Sequence, residues 1–450
     1  MSNRLQAGFS RINITPPMGI PVSGYFIDRF ASGVRDELEV QALAVSDDKN
    51  RAVILSADLL GISKADIIHY RNEISKKTGL PLEAIFIACT HTHTGPVVTT
   101  SFVSTLSDEW DFYVKTLHSK FADAAMLALA DLAPAKLGYR VGMAPDIAFI
   151  RRFRMKNGKV QTNPGTNNPD ILHPIGEVDE RVNVIRFARD KGDIVVVNFG
   201  NHPDTIGGDK ISADFPRFVR ETIEATIPES KCIFLNGAQG DVNAIKVNAK
   251  GGDLNDLEVT FDGCERGYDH TKHMGRNIAG AVLQVYGKVH FTDVDEIKFA
   301  NSICKVPSNM PKPEQLELAR KYNQLHAEGK DEEIPFKAME LTTVVAEAMR
   351  MITLEHGPEY FELPLSAIAI GPAVFIGIPG EPFTGIGRGI KDGSEFEITL
   401  PCCAANGYEG YFPMQDAYDE GGYEARSSLF AAGVAEKLID DSVKLINELR

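Results

Sequence analysis

The segment Ile85-Phe86-Ile87-Ala88-Cys89-Thr90-His91-Thr92-His93-Thr94-Gly95-Pro96 reads as an apolar strand that ends in a His-x-His and a Gly-Pro turn. Residues two apart in a strand face the same side, so His91 and His93 can converge on one point. Imidazoles at the mouth of a buried strand suit a metal ion or an acid–base pair. The same spacing is also met by one buried, satisfied histidine beside an exposed one.

Four more segments run from an apolar strand into a polar turn rich in Gly or Pro. They place His202 after Val195–Phe199, Asp241 and Asn243 after Phe234–Asn236, and Glu381 after Phe375–Ile378, while Tyr408 and Tyr411 follow the last strand. Strand ends of one sheet are neighbours, so these loops can share a cleft. Two histidines and a carboxylate form a common catalytic zinc set with one position left open for water. Zinc lowers the pKa of that water to about 7.

The elements that must carry these loops alternate along the chain. Strands are expected within 39–60, a helix over 63–78 closed by Gly79, a helix over 108–132 and a strand near 135–142. The middle offers strands at 181–188 and 192–199, a helix at 214–227 and a buried strand at 232–235. Strands at 365–370 and 373–378, a helix near 383–392, a strand around 396–404 and a final helix over 425–448 complete the pattern. The rhythm of the N-terminal third thus recurs in the C-terminal third, which suggests a pseudo-repeat with two sheets back to back between helix layers. Residues 306–360 are helix-rich and charged and suggest a lid or covering layer. The expected fold class is α/β, a single large domain spanning 1–450 with mixed sheets between helix layers.

Composition bounds the function. With 43% hydrophobic and 24% charged residues, the chain of 450 residues can bury a large core. A net charge of −15 opposes nucleic acid and anionic membrane surfaces. No apolar run is long enough for a signal peptide or a membrane span, and the six scattered cysteines read as reduced thiols, so the expected location is the cytoplasm. The expected partner is a small-molecule substrate, with a homo-oligomer allowed.

Taken together these residues resemble the N-terminal catalytic domain of the neutral/alkaline (non-lysosomal) ceramidases. The likeness runs from Gly8-Phe9-Ser10-Arg11-Ile12-Asn13-Ile14-Thr15-Pro16-Pro17 through Cys89–Pro96, Asn201-His202-Pro203, Gly240-Asp241-Val242-Asn243 and Pro379-Gly380-Glu381-Pro382 to Tyr408-Glu409-Gly410-Tyr411 and Gly421-Gly422-Tyr423-Glu424. The resemblance implies a zinc amidase, with one Zn2+ held by His91, His202, Glu381 and Tyr411. It implies that His93 and Tyr423 hold the substrate amide and its developing oxyanion, and that Arg151 contacts substrate, with Arg152 a near tie. Another divalent metal suits the same donors.

Two departures stand out. The family carries a Ser after Gly-Asp-Val where this chain has Asn243, whose amide can donate to an oxyanion but cannot act as a nucleophile. The family's C-terminal immunoglobulin-like domain has no counterpart here, and ceramide is a membrane lipid met by exported enzymes. The expected reaction is therefore hydrolysis of a linear amide by metal-activated water on a substrate other than ceramide. The alternatives are a metal-dependent esterase, lactonase or ring-opening hydrolase on a small polar or sugar-like substrate, and a non-catalytic ligand-binding homologue.

Other candidates have structural readings beside functional ones. Asp58 and Asp241 read as carboxylates behind a metal ligand, Asp58 equally as a helix cap. Asp204 and Asp214 read as caps, and His270 with His273 as a surface pair. Trp110, Phe112 and Tyr113 read as core or rim packing.

Overall fold

Runs such as Ala52-Val53-Ile54-Leu55 and Val195-Val196-Val197 are rich in β-branched residues that suit a buried pleated surface. A computed structural model describes residues 5–99, 107–248, 259–261 and 264–450, and it lays these runs down in one recurring unit.

In the first unit β1 (Gln6–Asn13), β2 (Glu39–Ser46) and β3 (Arg51–Ala57) pair antiparallel. Helix α1 (Lys64–Thr78) then crosses over, and β4 (Ile85–Cys89) lies parallel to β3. Ser63 accepts from the Asp66 amide to open α1, and Gly79 closes it in the left-handed conformation at φ 73°. Helix α2 (Asp108–Ala130) covers this sheet with Leu117, Phe121 and Ala125.

The second unit repeats the plan. Strands β5 (Lys136–Met143), β6 (Arg181–Ala188) and β7 (Ile194–Phe199) pair antiparallel, α3 (Phe215–Thr226) crosses over, and β8 (Lys231–Asn236) lies parallel to β7. Helix α4 (Tyr268–Tyr286) packs beside α3, burying Met274, Ile278 and Val282 with Phe215 and Val219.

The third unit begins with β9 (Ile297–Pro307), which is followed by a helical hairpin of α5 (Leu316–Ala327) and α6 (Ala338–Leu354). Strands β10 (Tyr360–Ile370) and β11 (Ala373–Gly377) complete the antiparallel set, α7 (Thr384–Gly393) crosses over, and β12 (Ile398–Cys402) runs parallel to β11. A short helix over Gln415–Glu420 follows, and then α8 (Tyr423–Ser427) and α9 (Val434–Asn447).

The α/β class stands, and the internal repeat is threefold. The middle third is a third copy, so three sheets meet around one centre where two sheets back to back were expected. Their inner faces share one core, with Ile54 and Ile87, Val196 and Leu235, and Phe375 and Leu400 drawn from the three units in turn. Hydrogen bonds close a ring between the units at the strand ends. Cys89 N donates to Ala404 O (3.2 Å), Cys403 N to Asn236 O (3.0 Å), and Asn236 Nδ2 to Thr90 O (3.0 Å).

The final helix expected over 425–448 is instead two helices, because Gly433 at φ 95° turns the chain between α8 and α9. The α5–α6 hairpin has small apolar clusters of its own around Ala319, Ala348 and Met351. It is tied to α8 by Arg426, which pairs with Glu340 (2.8 Å) and Glu347 (2.6 Å). Cys89, Cys232, Cys304, Cys402 and Cys403 are buried free thiols, while the Cys264 side chain lies outside the described residues.

Candidate metal centre

Each unit delivers one side chain to the same point. Strand β4 stops at Cys89, and His91 beyond it takes φ 72°, a left-handed conformation rare for a residue with a Cβ. Its amide donates to Leu59 O (2.9 Å), and its Nδ1 lies 2.8 Å from Leu60 O. The i, i+2 strand geometry expected for His91 and His93 therefore does not apply, since the chain has left the strand. The turn itself brings the two rings together, with Nε2 atoms 3.3 Å apart. His202, after β7, sets Nδ1 2.8 Å from Gln239 O and 3.0 Å from Val242 O in the loop that follows β8. Glu381, after β11, accepts at Oε1 from the Tyr408 hydroxyl (2.6 Å).

The carbonyls fix the tautomers of His91 and His202. A ring nitrogen facing a carbonyl must carry the proton, so in the neutral ring the Nε2 lone pair points inward. Glu381 Oε2 lies 3.2 Å from His91 Nε2 and 3.0 Å from His202 Nε2. Three acceptor atoms thus face one another where each side chain is about 1% exposed. A tetrahedral ion with bonds of about 2.0–2.1 Å sets its ligand atoms about 3.3 Å apart, so the donor set fits a zinc ion in number, chemistry and spacing. His93 offers a further imidazole, the ligand atoms of His91, His93 and His202 lying within 4.8 Å of one another. Burial and the Arg151 charge push the His202 imidazole down to about 4. Burial raises the Glu381 carboxyl, but His91 and His202 outweigh it and hold it well below the usual range. The Glu381 carboxylate thus faces a neutral His202 imidazole at the centre.

The remaining residues divide. Arg151 is brought in, with Nη1 3.3 Å from His202 Nε2, whereas Arg152 turns away to Gly421 O (2.9 Å). Tyr411 stacks on the His202 ring (6.4 Å between centroids, 20° between planes) and meets Tyr423 edge-on (5.5 Å). The hydroxyl that touches Glu381 is that of Tyr408, whose phenol burial pushes well above its ordinary value. Burial raises the Tyr411 phenol too, against the pull of Arg151 beside it. Asn243 is not brought to the point. Its Nδ2 donates to Asn163 Oδ1 (2.8 Å) and its Oδ1 accepts from Ile245 N (2.9 Å), so both ends of the amide are committed.

Asp58 neither caps a helix nor orients an imidazole: it forms a two-pronged ion pair with the buried Arg220 (2.9 and 2.7 Å). Asp241 holds the Glu381 loop by accepting from the amide and hydroxyl of Thr384 (2.7 and 2.9 Å). Asp214 caps α3, and Asp204 accepts from the Tyr25 hydroxyl (2.9 Å) with His93 Nδ1 3.9 Å away. Trp110 and Tyr113 are buried while Phe112 is exposed. His270 is buried against Ala244 O and stacks on His273. Sequence reasoning gave no role to Glu424, which is fully buried and fixes both Arg151 Nε (2.7 Å) and Thr162 Oγ1 (2.8 Å). Its place beside two glycines and a candidate tyrosine was the available signal.

A cleft of about 110 Å³ opens onto this point, lined by Tyr25, Phe26, Val97, His93, Glu381 and the three tyrosines 408, 411 and 423. The architecture is a ceramidase-like fold. The chain superposes along its full length on the neutral ceramidase from Pseudomonas aeruginosa with a TM-score of 0.75, at 16% identity and over 75% of that chain. It superposes equally fully on a ceramidase complexed with C2 (TM-score 0.73, 18% identity, 76% of that chain). No family model and no curated protein matches the sequence.

Proposed function

We propose that this chain is a zinc-dependent hydrolase of a linear amide. The observation that carries the reading is the set of three inward-facing acceptors, Nε2 of His91, Nε2 of His202 and Oε2 of Glu381, in a fold shared with ceramidases. Zinc would be held by these residues, with Tyr411 beside them, and would supply Lewis acidity at the carbonyl and a lowered pKa for water.

The chain's own residues supply the rest. Arg151 is anchored through Nε to Glu424 and through Nη2 to Gly240 O (2.8 Å), so its charge is fixed at the edge of the site. With Tyr423 it presents donors to a carbonyl oxygen that gains negative charge as it becomes tetrahedral. His93, close to His91 and backed by Asp204, is placed to take a proton from the attacking water and pass it to the departing amine. Tyr408 keeps Glu381 in register. Asn243 has no part in this scheme.

A panel of N-acyl amides with matched esters tests the proposal. Amides should turn over, chelation should abolish turnover and zinc restore it. His93→Ala should slow turnover on the order of 100-fold with metal content unchanged. Turnover indifferent to chelation, or full activity in His93→Ala, would refute it.

A further inference from the structure

Beyond the cleft lies a second chamber of about 760 Å³. Phe26, Thr99, Tyr408, Tyr411 and Tyr423 line both spaces, so the chamber adjoins the metal centre across an aromatic wall. Its far side is one face of α6, formed by Ala346, Met349, Arg350 and Thr353. These positions follow the i, i+3, i+4, i+7 rule of a helix face.

Arg350 is the unusual member. It is 8% exposed, yet no carboxylate of the described residues pairs with it. Its Nε donates to Arg426 O (2.8 Å) and its Nη1 to Asn309 O, both backbone carbonyls. The nearby Glu347 acts on Arg350 only through space, because its carboxylate is bonded to Arg426. Lys64 lines the same chamber, and its Nζ donates to a backbone carbonyl, Glu362 O (2.6 Å). Glu409, also at the wall, accepts from the Lys64 amide and offsets part of the Lys64 charge. A buried guanidinium whose hydrogen bonds reach only neutral carbonyls gains from an anion that meets it directly. With Glu409 answering Lys64, Arg350 is the cation at this wall whose hydrogen bonds reach only neutral carbonyls, and it favours a negative group in the chamber.

We infer that the chamber binds the far end of the substrate, an apolar segment that terminates in an anionic oxygen group (carboxylate, sulfonate or phosphate). The meaning of this site as a substrate subsite rests on the amide-hydrolase reading; the binding itself does not. An amide carrying such a terminus differs from a neutral lipid amide at this end.

The test is calorimetric titration of the metal-stripped protein, so that no anion is captured by metal, with octanoate, octanesulfonate, octyl phosphate and octanol. At least one anionic probe should bind ten or more times more tightly than octanol, and the ranking identifies the head group. Arg350→Gln should lose that preference. Thr353→Glu, an exposed position whose change leaves the Arg350 hydrogen bonds intact, should lose it too while keeping the thermal midpoint. Equal binding of octanol and all three anions, or an anion preference that persists in Thr353→Glu, would overturn the inference. Because no turnover is measured, failure of the hydrolase reading leaves this result standing.

Discussion

Each of the three acceptors at the centre is fixed by a neighbour behind it. His91 and His202 are locked by backbone carbonyls, and Glu381 is locked by Tyr408. Behind them, Asp58 and Arg220 form an ion pair 162 residues apart in sequence, with side chains 0% and 2% exposed. Removing one partner strands the other charge in the core. Asp58→Ala should therefore cost about 3–5 kcal/mol in urea unfolding, whereas a loss under about 1 kcal/mol would show that the pair is solvated in solution. At this scale the sequence was readable where an apolar run stops at a polar turn, as at His91, His202 and Glu381. It was not readable for Asp58, whose partner no local pattern identifies. Nor did it give a part to Tyr408, whose hydroxyl is the one that reaches Glu381, since the resemblance pointed to Tyr411.

Elements were legible where caps and periodicity agree, as in α1 between Ser63 and Gly79. The last helix was misread as continuous because the apolar period of α9 resumes after Gly433 without a marked change in composition. The joints between elements carry electrostatics that spacing does not show. Asp179, just before β6, pairs with Arg181 (2.7 Å) and with Lys391 of α7 (2.9 Å). Burial alone would push its carboxyl up, but Arg181 and Lys391 outweigh this and bring it down to about 2 from 3.8. A carboxyl depressed in the folded state stabilises it above the unfolded value, and that contribution is lost as pH falls through the folded value. Asp179→Asn should thus destabilise by about 2 kcal/mol at neutral pH, and the difference from wild type should shrink between pH 4 and pH 2. A difference independent of pH in that window would remove the charge from the explanation.

On the scale of the molecule, the threefold repeat explains why three distant loops meet. Each unit ends its third or fourth strand at the common centre, and each supplies one acceptor, His91 from the first, His202 from the second and Glu381 from the third. Two of these repeats were visible as matching strand and helix rhythms. The third was obscured because the hairpin of β6 and β7 is separated from β5 by residues 144–180, which break the rhythm. The centre depends on all three units, so metal content is the most direct test of the proposed site. Elemental analysis of protein purified without added metal, wild type beside Glu381→Gln, should find about one zinc per wild-type chain and almost none in the variant. Absence of metal from both proteins after zinc loading, or equal zinc in both, would contradict a metal centre at this junction.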